Sequence, residues 1–191
     1  MATNRRLVGV GSDFYPTPIW ATQALLKAVK FDGNILEPCC GDGAISKVFL
    51  DAGFAVQSSD KYYRDYGVVE DAFDLQGTYL NVVTNPPFSL AEELFHHFYP
   101  KTRHKLCFLL RTAFLEGSER YRTIFSKTPP EEVHVFSERV TMFPKSSENK
   151  KGGTTSFAWF VWDKQLLHSH KDTIPVIKWI EPGLKPGSRY K

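Results

Sequence analysis

Residues Asn85-Pro86-Pro87-Phe88 hold more potential chemistry than any other stretch of this 191-residue chain. Two consecutive prolines remove two backbone N–H groups, fix φ near −65° and hold the residues before them extended. The resulting stiff turn can present two hydrogen-bond acceptors side by side, the side-chain oxygen of Asn85 and the main-chain carbonyl of Pro86. Phe88 offers a flat apolar surface next to them. A planar exocyclic amine on an aromatic base is the matching partner, with two N–H donors and a ring face. Accepting both hydrogens draws the nitrogen towards tetrahedral geometry and frees its lone pair for attack, so no strong base is needed. A bare Pro-Pro can also do no more than cap a strand. Here it follows an apolar run and lies downstream of a glycine loop, the context in which the chemical reading gains weight.

Several elements must position this turn. Leu80 to Thr84 reads as a buried strand, which puts Asn85 at its carboxyl end, where open α/β sheets bind their ligands. Upstream, Ile35-Leu36 begins strand, glycine turn and helix through Glu37-Pro38-Cys39-Cys40-Gly41-Asp42-Gly43 and Ala44 to Ala52. Ser46 stands where G-x-G-x-x-G would have its third glycine, and no Gly-Lys-Ser/Thr follows, so a diphosphate is not the expected ligand. Phe54 to Ser59 gives a second strand ending at Asp60. An acid in that place takes the ribose hydroxyls of an adenosine ligand, because a carboxylate can accept two hydrogen bonds at once. Asp74, after a weak apolar segment, is the candidate for the adenine amino group. Lys61 to Tyr66 reads either as the border of that pocket, through Lys61 or Tyr62, or as a plain surface loop.

With these residues in order, the chain resembles a class I S-adenosylmethionine-dependent methyltransferase that modifies amino groups, and most closely the small phage and prophage DNA adenine-N6 enzymes. The resemblance runs from about Phe14 to Trp162. It rests on Glu37 to Gly43, Asp60, Asp74, Asn85 to Phe88 and the amino-terminal Tyr15-Pro16-Thr17-Pro18. It implies a Rossmann-like α/β fold with a mostly parallel seven-stranded sheet, a C-terminal antiparallel hairpin and helices on both faces. It also implies S-adenosylmethionine as cofactor and transfer of its methyl group to adenine N6 in DNA. Catalysis then falls to Asn85, Pro86, Pro87 and Phe88. Cofactor binding falls to Tyr15, Thr17, Glu37, Pro38, Cys39, Gly41, Gly43, Asp60, Asp74 and Asn85, and base binding to Phe88, Phe143 and Phe114, the last of which reads equally as core packing. Asn-Pro-Pro-aromatic also serves methylation of RNA bases (adenine N6 or guanine N2) or of protein glutamine. A nucleic-acid-binding module without turnover is the reading from a different class. Two departures stand out: no separate target-recognition domain is visible, and Asn81 replaces the acid that many relatives carry.

The length suits one domain spanning 1–191, with 1–12 as an arm and 181–191 as a frayed tail. A formal charge of +3 says little alone, so nucleic acid must be argued from local clusters. Lys145, Lys150 and Lys151 form one, in a polar loop between two strand-like segments. They read as phosphate contacts or as a solvated loop. Three cysteines make neither a disulfide framework nor a zinc pattern, and His96 and His97 have no spaced partners, so no metal is expected. No signal or membrane segment is visible. A bacterial or phage-infected cytoplasm and a monomer or homodimer are the corresponding expectations.

Elsewhere, Thr17 and Pro18 predict a helix start, with Thr17 as its N-cap. Leu106 to Leu110 predicts a central strand. Val133 to Phe136 and Thr155 to Trp162 predict the closing hairpin. Ile177, Trp179 and Ile180 read as a short added strand or as packing across the core.

Overall fold

Alternation of side chains across one long strand explains why this chain forms layers. The computed structural model describes residues 14–142, 155–166 and 174–190. Its longest strand, β5 (Thr102–Arg111), is buried continuously from Lys105 to Leu110. Cys107 and Leu109 face one apolar cluster while Leu106, Phe108 and Leu110 face another. Such period-two alternation of apolar residues, with both faces covered, is what a central strand requires.

Seven further strands complete the sheet: β1 (Ile35–Glu37), β2 (Val56–Asp60), β3 (Val68–Val69), β4 (Tyr79–Thr84), β6 (Glu132–Phe136), β7 (Phe157–Asp163) and β8 (Val176–Ile180). Their order is β3-β2-β1-β4-β5-β7-β6-β8. β1 to β5 run parallel, and β7 enters antiparallel between β5 and β6. β8 pairs parallel with β6 at the edge. The expected hairpin is present, and the sheet has eight strands where seven were expected because β8 extends it. Of the residues read as an added strand or as core, Ile180 is buried, while Ile177 and Trp179 are exposed on that edge.

One face is covered by α1 (Ile19–Ala28) and α2 (Ala44–Asp51), the other by α3 (Ala91–Phe98) and the turn around Ile124. Trp159 and Trp162, three residues apart on β7, point to opposite faces. Trp159 Nε1 donates to the Ala21 carbonyl of α1 at 2.8 Å, and Trp162 Nε1 to Thr128 at 2.9 Å. Each indole thus fills a layer and satisfies its polar edge; truncating such a side chain typically costs about 3–5 kcal/mol.

Asn81 is fully buried, and its Nδ2 donates to the carbonyls of Asp32 and Asn34 at 2.8 and 3.1 Å. Where an acid would lack donors, this amide ties β4 to the chain entering β1. The carboxyl ends of β1, β2 and β4 therefore come to one edge of the sheet, at Glu37, Asp60 and Thr84.

The tail expected to fray is instead held over 181–190. Gly183 N–H donates to Glu138 at 2.6 Å, Lys185 Nζ to the Arg139 carbonyl at 3.0 Å, and Leu184 packs on the core. The expected arm lies outside the described residues.

Candidate functional site

Asn85 is the first residue beyond β4, and the Pro-Pro pair stops the strand at that point. Its side-chain Nδ2 donates to the Tyr15 carbonyl and to Thr17 Oγ1, both at 3.1 Å, with Met142 Sδ at 3.5 Å. A carbonyl can only accept, so the group facing Tyr15 must be the NH2, and the amide orientation is settled by its surroundings. The opposite atom, Asn85 Oδ1, is buried with no hydrogen-bond partner. A buried acceptor left unpaired costs about 1–3 kcal/mol, so such an atom asks for a function.

Tyr15 and Thr17 reach Asn85 because they lead into α1. The helix begins one residue later than its sequence suggests: Pro18 is the N-cap, its carbonyl accepts from Ala21 N–H at 2.9 Å, and no side chain caps the helix. Thr17 is not the N-cap; its hydroxyl is turned to Asn85 instead.

These residues wall a cavity of about 290 Å³. Around it lie the amino-terminal Phe14 to Thr17, the loop Glu37 to Cys40 with Asp42, the segment Asp60 to Tyr62 with Arg64, the turn Asp71 to Phe73, and Asn85 to Leu90. The Asn-Pro-Pro-Phe turn, the glycine loop and Asp60 are thus brought together. Gly41 and Gly43 have φ of +55° and +79°, the left-handed region where glycine is at ease. They lie behind the wall: a Cβ on Gly41 would overlap the Phe14 ring, and one on Gly43 the Tyr66 ring.

Asp60 uses each carboxylate oxygen once, accepting from Gly41 N–H and Tyr62 N–H at 2.9 Å each, which leaves acceptor capacity on both. Glu37 is fully buried and accepts from Ser46 N–H at 2.7 Å and from the Ser46 hydroxyl. Burial pushes its carboxyl up to about 8, against the opposing pull of those hydrogen bonds. Burial also pushes the Cys39 and Cys40 thiols up, so both stay protonated and small rather than nucleophilic.

Phe88 lies between Tyr15 and Phe157, with ring centroids at 5.9 and 5.7 Å, and the guanidinium of Arg111 sits 4.6 Å from its centre. The Pro87 carbonyl is occupied by Leu90 N–H at 2.9 Å.

Some expected residues fall elsewhere. Asp74 is exposed and off the cavity wall, where Asp71 stands instead. The difference is one turn of 3₁₀ helix, which Asp71 caps by accepting from Phe73 N–H at 3.1 Å. The Lys61 ammonium, 2.8 Å away, holds the Asp71 carboxyl below its usual range. Phe114 packs edge-on against Phe125 and Phe160 in the core and does not line the cavity. Phe143, Lys145, Lys150 and Lys151 lie outside the described residues. The sequence reading passed over Arg64, Asp71, Arg111 and Met142.

No protein-family model matches the chain, and no curated protein matches it. Solved structures do. A Listeria monocytogenes protein classed as a class I S-adenosylmethionine-dependent methyltransferase superposes with a TM-score of 0.58 at 14% identity, covering 89% of this chain and 68% of its own. A Vibrio vulnificus YJ016 modification subunit assigned to a type I restriction enzyme gives 0.56 at 12%, covering 83% and 46%. Magnesium protoporphyrin IX methyltransferase from Synechocystis PCC 6803, with S-adenosylmethionine bound, gives 0.51 at 15%, covering 73% and 74%. The fold is that of the class I methyltransferases. It carries the expected antiparallel entry of β7 and places the cavity at the carboxyl ends of β1, β2 and β4, the crevice that open α/β sheets use for ligands.

Proposed function

We propose that this protein transfers a methyl group from S-adenosylmethionine to the exocyclic N6 amino group of adenine in DNA. One observation carries the proposal: the NH2 of Asn85, a residue of the cavity wall, is locked onto Tyr15 and Thr17, which leaves its Oδ1 without a hydrogen-bond partner.

The residues fit the cofactor. Two left-handed glycines draw the loop close, Asp60 keeps lone pairs on both oxygens, and the cavity is near the ~300 Å³ lower end of common ligand sites. Glu37, Asp60, Tyr15 and Thr17 are the residues that would hold it, with Asp71 taking the place given to Asp74. When bound, S-adenosylmethionine supplies a methyl group made electrophilic by its sulfonium.

The chain's own part is orientation. Asn85 Oδ1 and the Pro86 carbonyl each accept one amino hydrogen and so aim the nitrogen lone pair, and the fixed dipoles need no reorganisation as charge develops. Phe88 stacks on the base. Arg111 now covers that ring, an exposed cation–π contact worth about 0.5–1 kcal/mol. Base–aromatic stacking is worth about 1–3 kcal/mol, so an incoming base wins the ring face. Removing the base from a duplex costs a few kcal/mol more, which contacts elsewhere must supply. Support for DNA comes from the aromatic stacking surface, which a glutamine side chain would not use, and from the fold shared with the restriction modification subunit.

The test incubates the protein with labelled S-adenosylmethionine and separate DNA, RNA and protein pools, then digests each to nucleosides or amino acids. N6-methyldeoxyadenosine is the expected product. Label appearing only in a ribonucleoside or in methylglutamine would reassign the substrate, and no transfer to any pool would remove the catalytic reading.

A further inference from the structure

Among the described residues, Lys61 and Arg64 are the cations on the cavity wall, and they are not equivalent. Lys61 is paired with Asp71 at 2.8 Å. Arg64 pairs with no carboxylate among the described residues. Its guanidinium carbon lies over the Phe14 ring, 4.1 Å from the centre, and 5.7 Å from the centre of Tyr62, and its Nε is buried without a hydrogen-bond partner. Arginine holds its charge at any physiological pH, and stacking fixes the plane of its donor fork. A buried, oriented donor without an acceptor awaits an anion.

Its place narrows the choice. Phe14 lies against Gly41 and directly precedes Tyr15, whose carbonyl holds Asn85. Lys61 instead marks the Asp71 to Phe73 side. The wall's acids are the carboxylates of Asp42, Asp60 and Asp71, which suit hydroxyl, ammonium and sulfonium groups and repel an anion, and the protonated Glu37, which attracts none. A ligand that carries both cationic groups and one carboxylate finds its cationic partner at one position.

We infer that Arg64 is a ligand-binding residue, gripping the carboxylate at the amino-acid end of an adenosyl amino acid. The inference rests on the cofactor reading above and deepens it. Two parallel N–H donors from a guanidinium match the two oxygens of a carboxylate, a geometry that lysine cannot copy.

Calorimetry with two ligands tests this without turnover. S-adenosylhomocysteine carries the carboxylate, and 5′-methylthioadenosine keeps the nucleoside and sulfur but lacks the amino-acid end. Arg64→Ala should weaken S-adenosylhomocysteine about 10- to 100-fold and change 5′-methylthioadenosine by less than about threefold. Arg64→Lys, which keeps the charge but not the fork, should fall between them and serves if the alanine variant melts early. Equal losses for both ligands, or none for either, would overturn the assignment while leaving the cofactor reading intact. If the unaltered protein binds neither ligand, the cofactor reading falls, and the Arg64 subsite with it.

Discussion

A single acceptor-only atom, the Tyr15 carbonyl, decides which way the Asn85 amide points, and with it where the reactive end of the site lies. Glu37 shows residue-level control of another kind. Burial pushes its carboxyl from 4.5 up to about 8, so between those values the folded protein holds a proton that the unfolded chain has released. Stability from this group is therefore complete below about pH 4.5 and is lost as the pH rises through about 8. Glu131, pushed up to about 7 by burial, adds a slope of the same sign, so the comparison that isolates Glu37 is with Glu37→Gln. Melting curves from about pH 5 to about pH 9 should fall more steeply for the parent than for that variant, by on the order of 10 °C over the range. Parallel curves would show that Glu37 ionises normally.

At the scale of elements, the glycine loop depends on its own conformation and on the amino-terminal segment laid across it. Gly41→Ala adds a Cβ at φ +55° where Phe14 lies. Left-handed backbone alone costs about 1–2 kcal/mol, and Phe14 must also shift, taking the Arg64 stacking platform with it. The variant should melt several degrees lower and bind S-adenosylhomocysteine about tenfold more weakly; unchanged binding would show that the loop and its cover act independently. Much of this was legible in the chain. The buried runs around Val83 and Leu109, the glycine turn and the Pro-Pro stop all act through local rules. Asp71 was not, because choosing between two acids three residues apart depends on which one caps a short 3₁₀ turn. The Thr17 hydroxyl was misplaced for the opposite reason: its local signal said helix cap, and a contact with Asn85, 68 residues away, overrode it.

Across the whole molecule, the fold gathers five separate segments of the chain around one cavity. Trp159 holds α1 against the sheet, α1 holds Tyr15 and Thr17, and they in turn orient Asn85 at the end of β4. The fold class followed from the family resemblance carried by the glycine turn, Asp60 and the Asn-Pro-Pro-Phe turn. The eighth strand was one of two readings of Ile177 to Ile180, and its pairing with β6 decides between them; the docking of 181–190 was not legible, since it depends on partners such as Glu138 that no periodicity announces. Asn85→Ala, compared with the parent for methyl transfer to adenine in DNA and for S-adenosylhomocysteine affinity, tests the central claim most directly. The account predicts a loss of transfer of at least about 10²–10³-fold, with affinity changed by less than about threefold. Transfer near the parental rate, or a loss of affinity as large as the loss of transfer, would contradict it.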